Sequence, residues 1–351
     1  MRVDILTEDE FQPSTITIAG NFNISLDINN LSLWLPICNI FNEKGKRVLL
    51  ISGSRESIKY FGPEGVIVSM CYKKTRRGMR TGAMNNMISA DMQYHQKNIH
   101  LKISSTSITS VGTKSIENGK EVFKAMTDHI NNLRDRLEII NNIDLETKKI
   151  NLEWLKNNLN TKKEIEDKMK DNKQLNKEFL NFCLLFIEDD NNYSNYIEKM
   201  FKLLQPVIIC HDNLYCNNFT IYNSVYHISP LNKKNFRMPL HRLAPYLASR
   251  GVAVEYHNWT SEGVNICFDI EEKKEGINHS NKEYKHRFSI HETTKIRQCS
   301  PTNKKEAYGN YLGVMKLLQD FFDHPDVDFS RYICKNFGEK KILEDYLLLN
   351  N

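Results

Sequence analysis

The stretch SSTSITSVGTKS occupies residues 104–115 and decides the fold. Its centre alternates, with Ile108 on one side and Thr109 and Val111 on the other, as a strand with one buried face does. Ser115 can then accept hydrogen bonds from the first free amides of a helix. The apolar residues of that helix recur at three- and four-residue intervals: Phe123, Met126, Ile130, Leu133 and Leu137. The stretch therefore predicts a strand that runs into a long amphipathic helix.

The segments upstream of this strand predict further elements of the same unit. STITIAGNFN (14–23) has the composition of a strand, and an apolar helix through Leu31 and Trp34 follows it. EGVIVSMCY from Glu64 and NIHLKISS (98–105) predict two more strands. A polar, glycine-containing loop is expected between them. The unit therefore reads as strand, helix, three strands and long helix.

The same order of elements recurs in the last third of the chain. TIYNSVYHI (220–228) predicts a strand, and a helix through Leu243 follows. EGVNICFDI from Glu262 matches EGVIVSMCY, and the strands HRFSIHET (286–293) and TKIRQCSP (294–301) come next. A final amphipathic helix passes through four apolar positions: Ala307, Tyr311, Val314 and Leu317. The fold is therefore predicted to contain two copies of one unit.

A charged, mainly helical region separates the copies. We predict a first repeat over residues 1–128, a helical insert over 129–215, a second repeat over 216–322 and a tail with a short helix over 323–351. The segment 161–174 is too polar to belong to a core. The insert has two amphipathic faces, formed by Leu152, Leu155 and Leu159 and by Leu175, Phe179, Phe182 and Phe186. An arm that binds a further protein and a simple spacer are both compatible with this pattern.

Composition excludes several classes of protein. The 351 residues carry a net charge of only +5, and no apolar run reaches the roughly 18 residues of a membrane span. An acidic N-terminal segment, MRVDILTEDEF, is unlike a signal peptide, so we expect a soluble intracellular protein. Cys210, His211 and Cys216 come closest to a metal pattern but lack a second half-site, so we expect no metal. No GxGxxG, Walker, HExxH or GxSxG motif occurs, and we expect neither an enzyme nor a cofactor.

Positive charge is concentrated in one short segment. Five basic residues fall within eight positions: Lys73, Lys74, Arg76, Arg77 and Arg80. Such a run is typical of a solvated loop. It becomes a candidate for phosphate contact when it lies beside a surface shaped for nucleic acid.

The doubled unit resembles the TATA-box-binding protein family. SSTSITSVGTKS is similar to a strand-turn-strand segment of that family, including Gly112 and Lys114, and NFNISLDINNLSLWL (21–35) is similar to its passage from first strand to first helix. In the second copy FRMPLHRLAPYL (236–247) resembles the equivalent turn into a helix. The resemblance covers both copies and excludes the insert and the tail.

This resemblance implies an α+β fold. Two repeats would form a curved antiparallel sheet, a saddle, with helices on the convex face and DNA on the concave face. Alternation then places Ile16 and Ile18 toward the helices and Thr15, Thr17 and Ala19 toward DNA. Small, uncharged side chains suit the floor of a minor groove. The implied DNA-facing positions are Thr15, Thr17, Asn21, Leu101, Ile103, Thr109, Val111, Asn223, Val225, Ile290 and Arg297.

Two further sets of contacts follow from the resemblance. The family kinks DNA with phenylalanine wedges, where this chain has Ile103 and Ile290. Phe61 and Trp259 lie near the other wedge positions, and they are interpreted either as substitute wedges or as loop aromatics packed on the body. Phosphate contacts are expected from the basic run and from lysines at strand ends, Lys114 and Lys295.

Partners and location are also implied by the resemblance. Partners would be AT-rich double-stranded DNA, a transcription factor IIB-like protein and a multisubunit RNA polymerase. The alternative is a protein-interaction scaffold of the same fold that does not bend DNA, which a charged or histidine-rich floor would favour. Divergence, the insert and the AT-biased composition favour a large DNA virus, with a protist as the other source. The location would be the nucleus, a cytoplasmic viral factory or the virion.

Overall fold

The chain folds into a mixed α+β structure with a large antiparallel sheet. The computed structural model describes residues 2–38, 64–73, 75–77, 86–94, 97–158, 162–187, 193–231, 236–256, 263–268, 286–300, 304–325 and 329–332, without the side chains of 75–77, 330 and 331. Two compact units are distinguished: unit 1 contains Met1–Ile16 and Ile221–Asn351, and unit 2 contains Thr17–Thr220.

Unit 2 contains most of the first repeat and the insert. The elements of the repeat are β1 (Thr15–Phe22), α1 (Ile28–Trp34), β2 (Ile67–Tyr72), β3 (Thr75–Arg77), β4 (Ile88–Tyr94), β5 (Lys97–Ile103), β6 (Ser107–Thr113) and α2 (Ile116–Asn141). The strands lie in the order β3-β2-β4-β5-β6-β1. Strand β1 begins in unit 1 and continues into unit 2.

Unit 1 contains most of the second repeat. Its elements are β7 (Cys216–Ile228), α7 (Leu240–Ser249), β8 (Ala253–Glu255), β9 (Gly263–Phe268), β10 (His286–His291), β11 (Ile296–Ser300) and α8 (Lys304–Phe322), followed by a short 3-10 helix, Phe329–Tyr332. The strands lie in the order β7-β11-β10-β9-β8. Phe11 stacks on Tyr226 of β7 at 4.1 Å and on Tyr311 of α8 at 4.9 Å, which joins sheet and helix in one core.

The two repeats share one strand order. Numbered from its own first strand and without the short β3, each repeat places its strands as 1-5-4-3-2. Apart from β3, each contains one strand more than predicted, β4 in the first repeat and β8 in the second. The two similar segments that begin at Glu64 and Glu262 are therefore not structurally equivalent. They form β2 and β9, whereas the strand of the first repeat that corresponds to β9 is β4.

Helix α2 joins the first repeat to the insert without a break. Ser115 caps it as predicted, since its Oγ accepts from the backbone N of Asn118 at 3.1 Å. The boundary predicted at residue 128 falls inside this helix. Two asparagines of α2 hold the returning chain: Asn131 exchanges two hydrogen bonds with the backbone of Leu214, and Asn141 does the same with Val207.

The insert is a helical bundle packed on α1. Its helices are α3 (Leu145–Asn157), α4 (Lys162–Asp171), α5 (Lys177–Leu184), α6 (Tyr193–Met200) and a 3-10 turn, Phe201–Leu204. Trp34 of α1 lies edge-on to Phe186 at 5.2 Å and near Phe182 at 6.1 Å. The segment 161–174 was wrongly predicted to lie outside a core, because Ile165 and Met169 of α4 are buried. Leu159 and the predicted helix of the tail lie outside the described residues.

Candidate nucleic-acid interface

Each unit has a sheet face covered by helices. In unit 2, Ile18 of β1 is fully buried and contacts α2 at Gly119, where an added Cβ would lie 3.4 Å from Ile18 Cγ1. In β5, Ile99, Leu101 and Ile103 are buried, while the residues between them are half-buried. The opposite face, called the open face below, carries the alternate residues of the strands.

Alternation follows the prediction in β6 and in the first half of β1, and fails at Ala19. Ile16 and Ile18 are buried, and Thr15 and Thr17 between them are half-buried. Ile108 is buried, whereas Val111 is 38% exposed. Ala19, predicted to face DNA, is buried at 8% exposure. Asn21, at the end of β1, is exposed.

Leu101, Ile103 and Ile290 were wrongly predicted to be available to DNA, because all three are fully buried. Ile103 pairs with Ile108, and residues that lie opposite in an antiparallel pair share a face. Ile290 likewise pairs with the buried Ile296. Isoleucine in these positions fills the core under the helices and cannot act as a wedge. Val225 is also nearly covered, at 8% exposure.

The open face of unit 2 combines hydroxyl, aliphatic and basic residues. Lys102 of β5 lies opposite Thr109, and His100 lies opposite Val111. Asp91 of β4 continues the second row, since its Oδ1 is 3.2 Å from Nδ1 of His100 and its Oδ2 accepts from Ser69 Oγ at 2.5 Å. This face therefore carries one carboxylate near its cations.

Unit 1 has a more basic open face. The strand register places Glu255, Asn265, Ser289, Arg297 and His227 in one row across β8, β9, β10, β11 and β7. The neighbouring row contains Ala253, Cys267, Arg287, Cys299 and Val225. Both arginines and His227 are exposed.

The candidate phosphate contacts are only partly described. Lys73 is exposed, in a left-handed conformation (φ 51°), and its Nζ donates to Asn29 Oδ1 at 3.1 Å. Arg76 and Arg77 belong to β3, which pairs with β2. Lys114 and Lys295 are exposed, at the β6–α2 junction and in the β10–β11 turn. Phe61, Lys74, Arg80 and Trp259 lie outside the described residues.

Sequence reasoning missed four side chains of the open faces and one exposed aromatic residue. The four are His100, Lys102, His227 and Arg287, each at an outward position of its strand. Tyr222 of β7 is 59% exposed and follows directly before the half-buried Asn223. Strict alternation along NIHLKI and HRFSIH would have indicated the residues on β5 and β10.

Neither a group of metal ligands nor a membrane-spanning helix occurs among the described residues. In the described part of the chain, no three His, Cys, Asp or Glu side chains are grouped to hold a metal ion. No described helix is both long and apolar enough to cross a membrane.

Comparison with known proteins leaves the family unassigned. No family model and no curated protein matches the chain. Among solved structures, the TBP of Methanococcus jannaschii is similar with a TM-score of 0.34 and 10% sequence identity, over 89% of this chain and 98% of that one.

Proposed function

We propose that this chain binds duplex DNA with the open faces of its sheet and acts as a non-enzymatic transcription initiation factor of the TATA-box-binding type. The observation that carries the proposal is the 1-5-4-3-2 strand order of both repeats, with helices packed on one face of the strands within each unit. Among the described residues, outward side chains of both units are exposed on the other face, which leaves room for a large ligand. We also propose that the sheet is curved as a saddle, and that the chain recruits a transcription factor IIB-like protein and a multisubunit RNA polymerase.

The open face of unit 2 supports contact with the minor groove of AT-rich DNA. Thr17, Thr109 and Val111 are small and uncharged, as a groove floor that offers acceptors and apolar walls requires. Lys102 lies beside them, opposite Thr109, and Lys114 is exposed at the end of β6. Cations at strand ends suit phosphates, whose neutralisation supplies much of the affinity for DNA.

A gel-shift titration tests the proposal. Full-length protein is titrated against an AT-rich and a GC-rich duplex of equal length at two salt concentrations. We expect tighter binding to the AT-rich duplex and weaker binding to both at the higher salt. Val111→Glu should abolish the shift, because it adds a negative charge to the open face. Ile150→Glu is the matched control, since Ile150 is 54% exposed and lies on α3 of the insert.

One observation favours the scaffold alternative. The Asp91 carboxylate lies on the open face of unit 2, where it would repel phosphate. If neither duplex is shifted at the lower salt concentration, the DNA-binding proposal is wrong and the scaffold is preferred. A shift that Val111→Glu and Ile150→Glu reduce equally would also contradict it, since the open face would then not be the contact surface.

A further inference from the structure

We propose that unit 1 contains a peptide-binding groove, and that the chain's own N-terminal segment, residues 2–13, is its resident ligand. A segment of a partner protein can replace the resident when it has the same chemistry: an extended acidic peptide with an aliphatic residue eight positions before a phenylalanine. The groove lies beside α8 on the covered side of β7, away from the open face. Peptide binding there goes beyond the proposed function and does not rest on it.

Phe11 is the main anchor of the N-terminal segment. Its side chain is 1% exposed, and its ring stacks on Tyr226 of β7 at 4.1 Å and on Tyr311 of α8 at 4.9 Å. The ring of Tyr308 lies tilted to it at 5.4 Å. Three tyrosines around one ring form an aromatic pocket that suits a phenylalanine, because stacked and tilted aromatic pairs are favourable beyond their buried area. The second anchor is Val3, which is 4% exposed in the same core.

Between the two anchors, unit 1 binds the backbone of the segment. The N–H of Leu6 donates to Tyr311 Oη at 2.7 Å, and the carbonyl of Leu6 accepts from Tyr308 Oη at 3.0 Å. The N–H of Val3 donates to Gln319 Oε1 at 2.8 Å. Any peptide carries these backbone groups, so the hydrogen bonds supply affinity and the anchor positions supply the selectivity.

Most other side chains of the segment are exposed. Ile5 is 57% exposed, and residues 7–10 form a turn on the surface. The turn is held by its own side chains, since Glu10 Oε2 accepts from both the backbone N and the Oγ1 of Thr7 at 2.9 Å. The resident therefore offers the groove two anchors and a stretch of backbone, a set of contacts that a segment of another protein can also supply.

The acidic residues of the segment match the charge of the helix end near them. Because Tyr308 contacts both Leu6 and Phe11, the turn between these two residues lies near the start of α8. Residues 8–10 of that turn are all acidic, whereas α8 begins with two lysines, 304 and 305. The N-terminal end of a helix also attracts negative charge. A partner segment should therefore be acidic just before its phenylalanine.

Fluorescence anisotropy with a labelled peptide of residues 2–13 tests the inference on the full chain. A tethered segment has an effective concentration in roughly the millimolar range, so the unchanged chain should not take up micromolar peptide. The Phe11→Ala chain lacks the main anchor of its own segment and should bind the peptide. Its melting temperature should rise with added peptide, because a ligand that binds only the folded state stabilises that state.

Variants of the peptide define what the groove recognises in the Phe11→Ala chain. A Phe11→Ala peptide should bind at least about a hundredfold more weakly, since it loses a buried aromatic ring. An Ile5→Ala peptide is the matched control and should bind as the unchanged peptide does, because Ile5 is exposed. A neutral peptide with Glu8→Gln, Asp9→Asn and Glu10→Gln should bind roughly two- to fivefold more weakly at low salt, and this difference should shrink at high salt.

A second chain variant covers the case in which Phe11→Ala does not fold. Val3→Asp removes the other anchor and leaves Phe11 in place, and this chain should also take up the peptide. The inference is overturned if neither variant chain binds the peptide, or if the Phe11→Ala peptide binds as tightly as the unchanged peptide. Failure of both variant chains to fold would overturn it as well, because a segment that the fold cannot lose is not an exchangeable ligand. Gel shifts of duplex DNA test the proposed function separately, since the peptide and the duplex are assigned to different faces of the sheet.

Discussion

Gly119→Ala should destabilise the protein while Ile18 is present and stabilise it when Ile18 is shortened to valine. Gly119 lies in the first turns of α2, and a Cβ there would overlap the Cδ1 atom of Ile18, while Ile18 Cγ1 and Cβ lie at 3.4 and 3.5 Å. Alanine in a helix is favoured over glycine by about 1 kcal/mol. Overpacking of a core costs about 1–3 kcal/mol. Gly119→Ala alone should therefore lower the free energy of unfolding by roughly 0–2 kcal/mol.

Ile18→Val removes Cδ1 and leaves the other contacts at ordinary distances. Alone, it should cost about 0.5–1.5 kcal/mol. In that background Gly119→Ala should raise the free energy of unfolding by about 1 kcal/mol, because only the helix preference remains. Urea denaturation of the four proteins of this double-mutant cycle measures the coupling. If Gly119→Ala has the same effect in both backgrounds, Ile18 does not face α2, and Thr15 and Thr17 lose their place on the open face.

Three further predictions concern single sites. Charge reversal of Arg76 and Arg77 should weaken binding to AT-rich and GC-rich duplexes alike and flatten the salt dependence, and unchanged binding in a gel shift would remove the basic run from the interface. Tyr94 donates to Glu121 Oε2 at 2.6 Å, and this bond together with burial raises the pKa of Tyr94 to about 12. The contribution of this bond to the free energy of unfolding should therefore fall as pH rises from 10 toward 12. Glu121→Gln should lower the pKa of Tyr94 measured by ultraviolet titration. Burial lowers the pKa of Lys148 below its ordinary 10.5, so just below pH 10.5 the folded chain binds fewer protons than the unfolded chain. The free energy of unfolding should therefore rise as pH approaches 10.5. In urea denaturation, Lys148→Met should not show this rise.

The sequence predicted the doubled unit but not its full set of strands. Residues 88–94, ISADMQY, alternate Ile88, Ala90 and Met92 with polar residues, and these three are fully buried in β4. The pattern was missed because it follows a long polar stretch. Strand β8 has only three residues, which is too short for any period to show. Without β4 and β8, similar strand sequences were aligned across positions that are not equivalent in the two repeats.

Which residues face outward was predicted well by alternation and poorly by resemblance. Ile108 against Val111 followed from a period of two, and the structure agrees. Ile103 was placed by similarity to a wedge position, although the period of NIHLKI puts it with Ile99 on the buried face. The burial of apolar side chains decides the direction of every residue along a strand. A distant resemblance indicates only which elements correspond, and it does not decide which way each side chain points. Pairing between strands, which decides that Arg287 lies diagonal to Arg297, has no signature within one strand and could not be predicted.

The two open faces differ in chemistry, and this difference bears on what each can bind. In unit 2 the side chains beside Lys102 are Thr109 and Ser89, and a carboxylate, Asp91, limits the local positive potential. A surface of this kind discriminates by fit, as a groove floor does. In unit 1 the two exposed arginines, Arg287 and Arg297, have no carboxylate opposite them, and such positive charge acts on anions over a longer range. Under the proposed function, the first repeat therefore contributes more of the fit to the groove and the second repeat more of the attraction to phosphate.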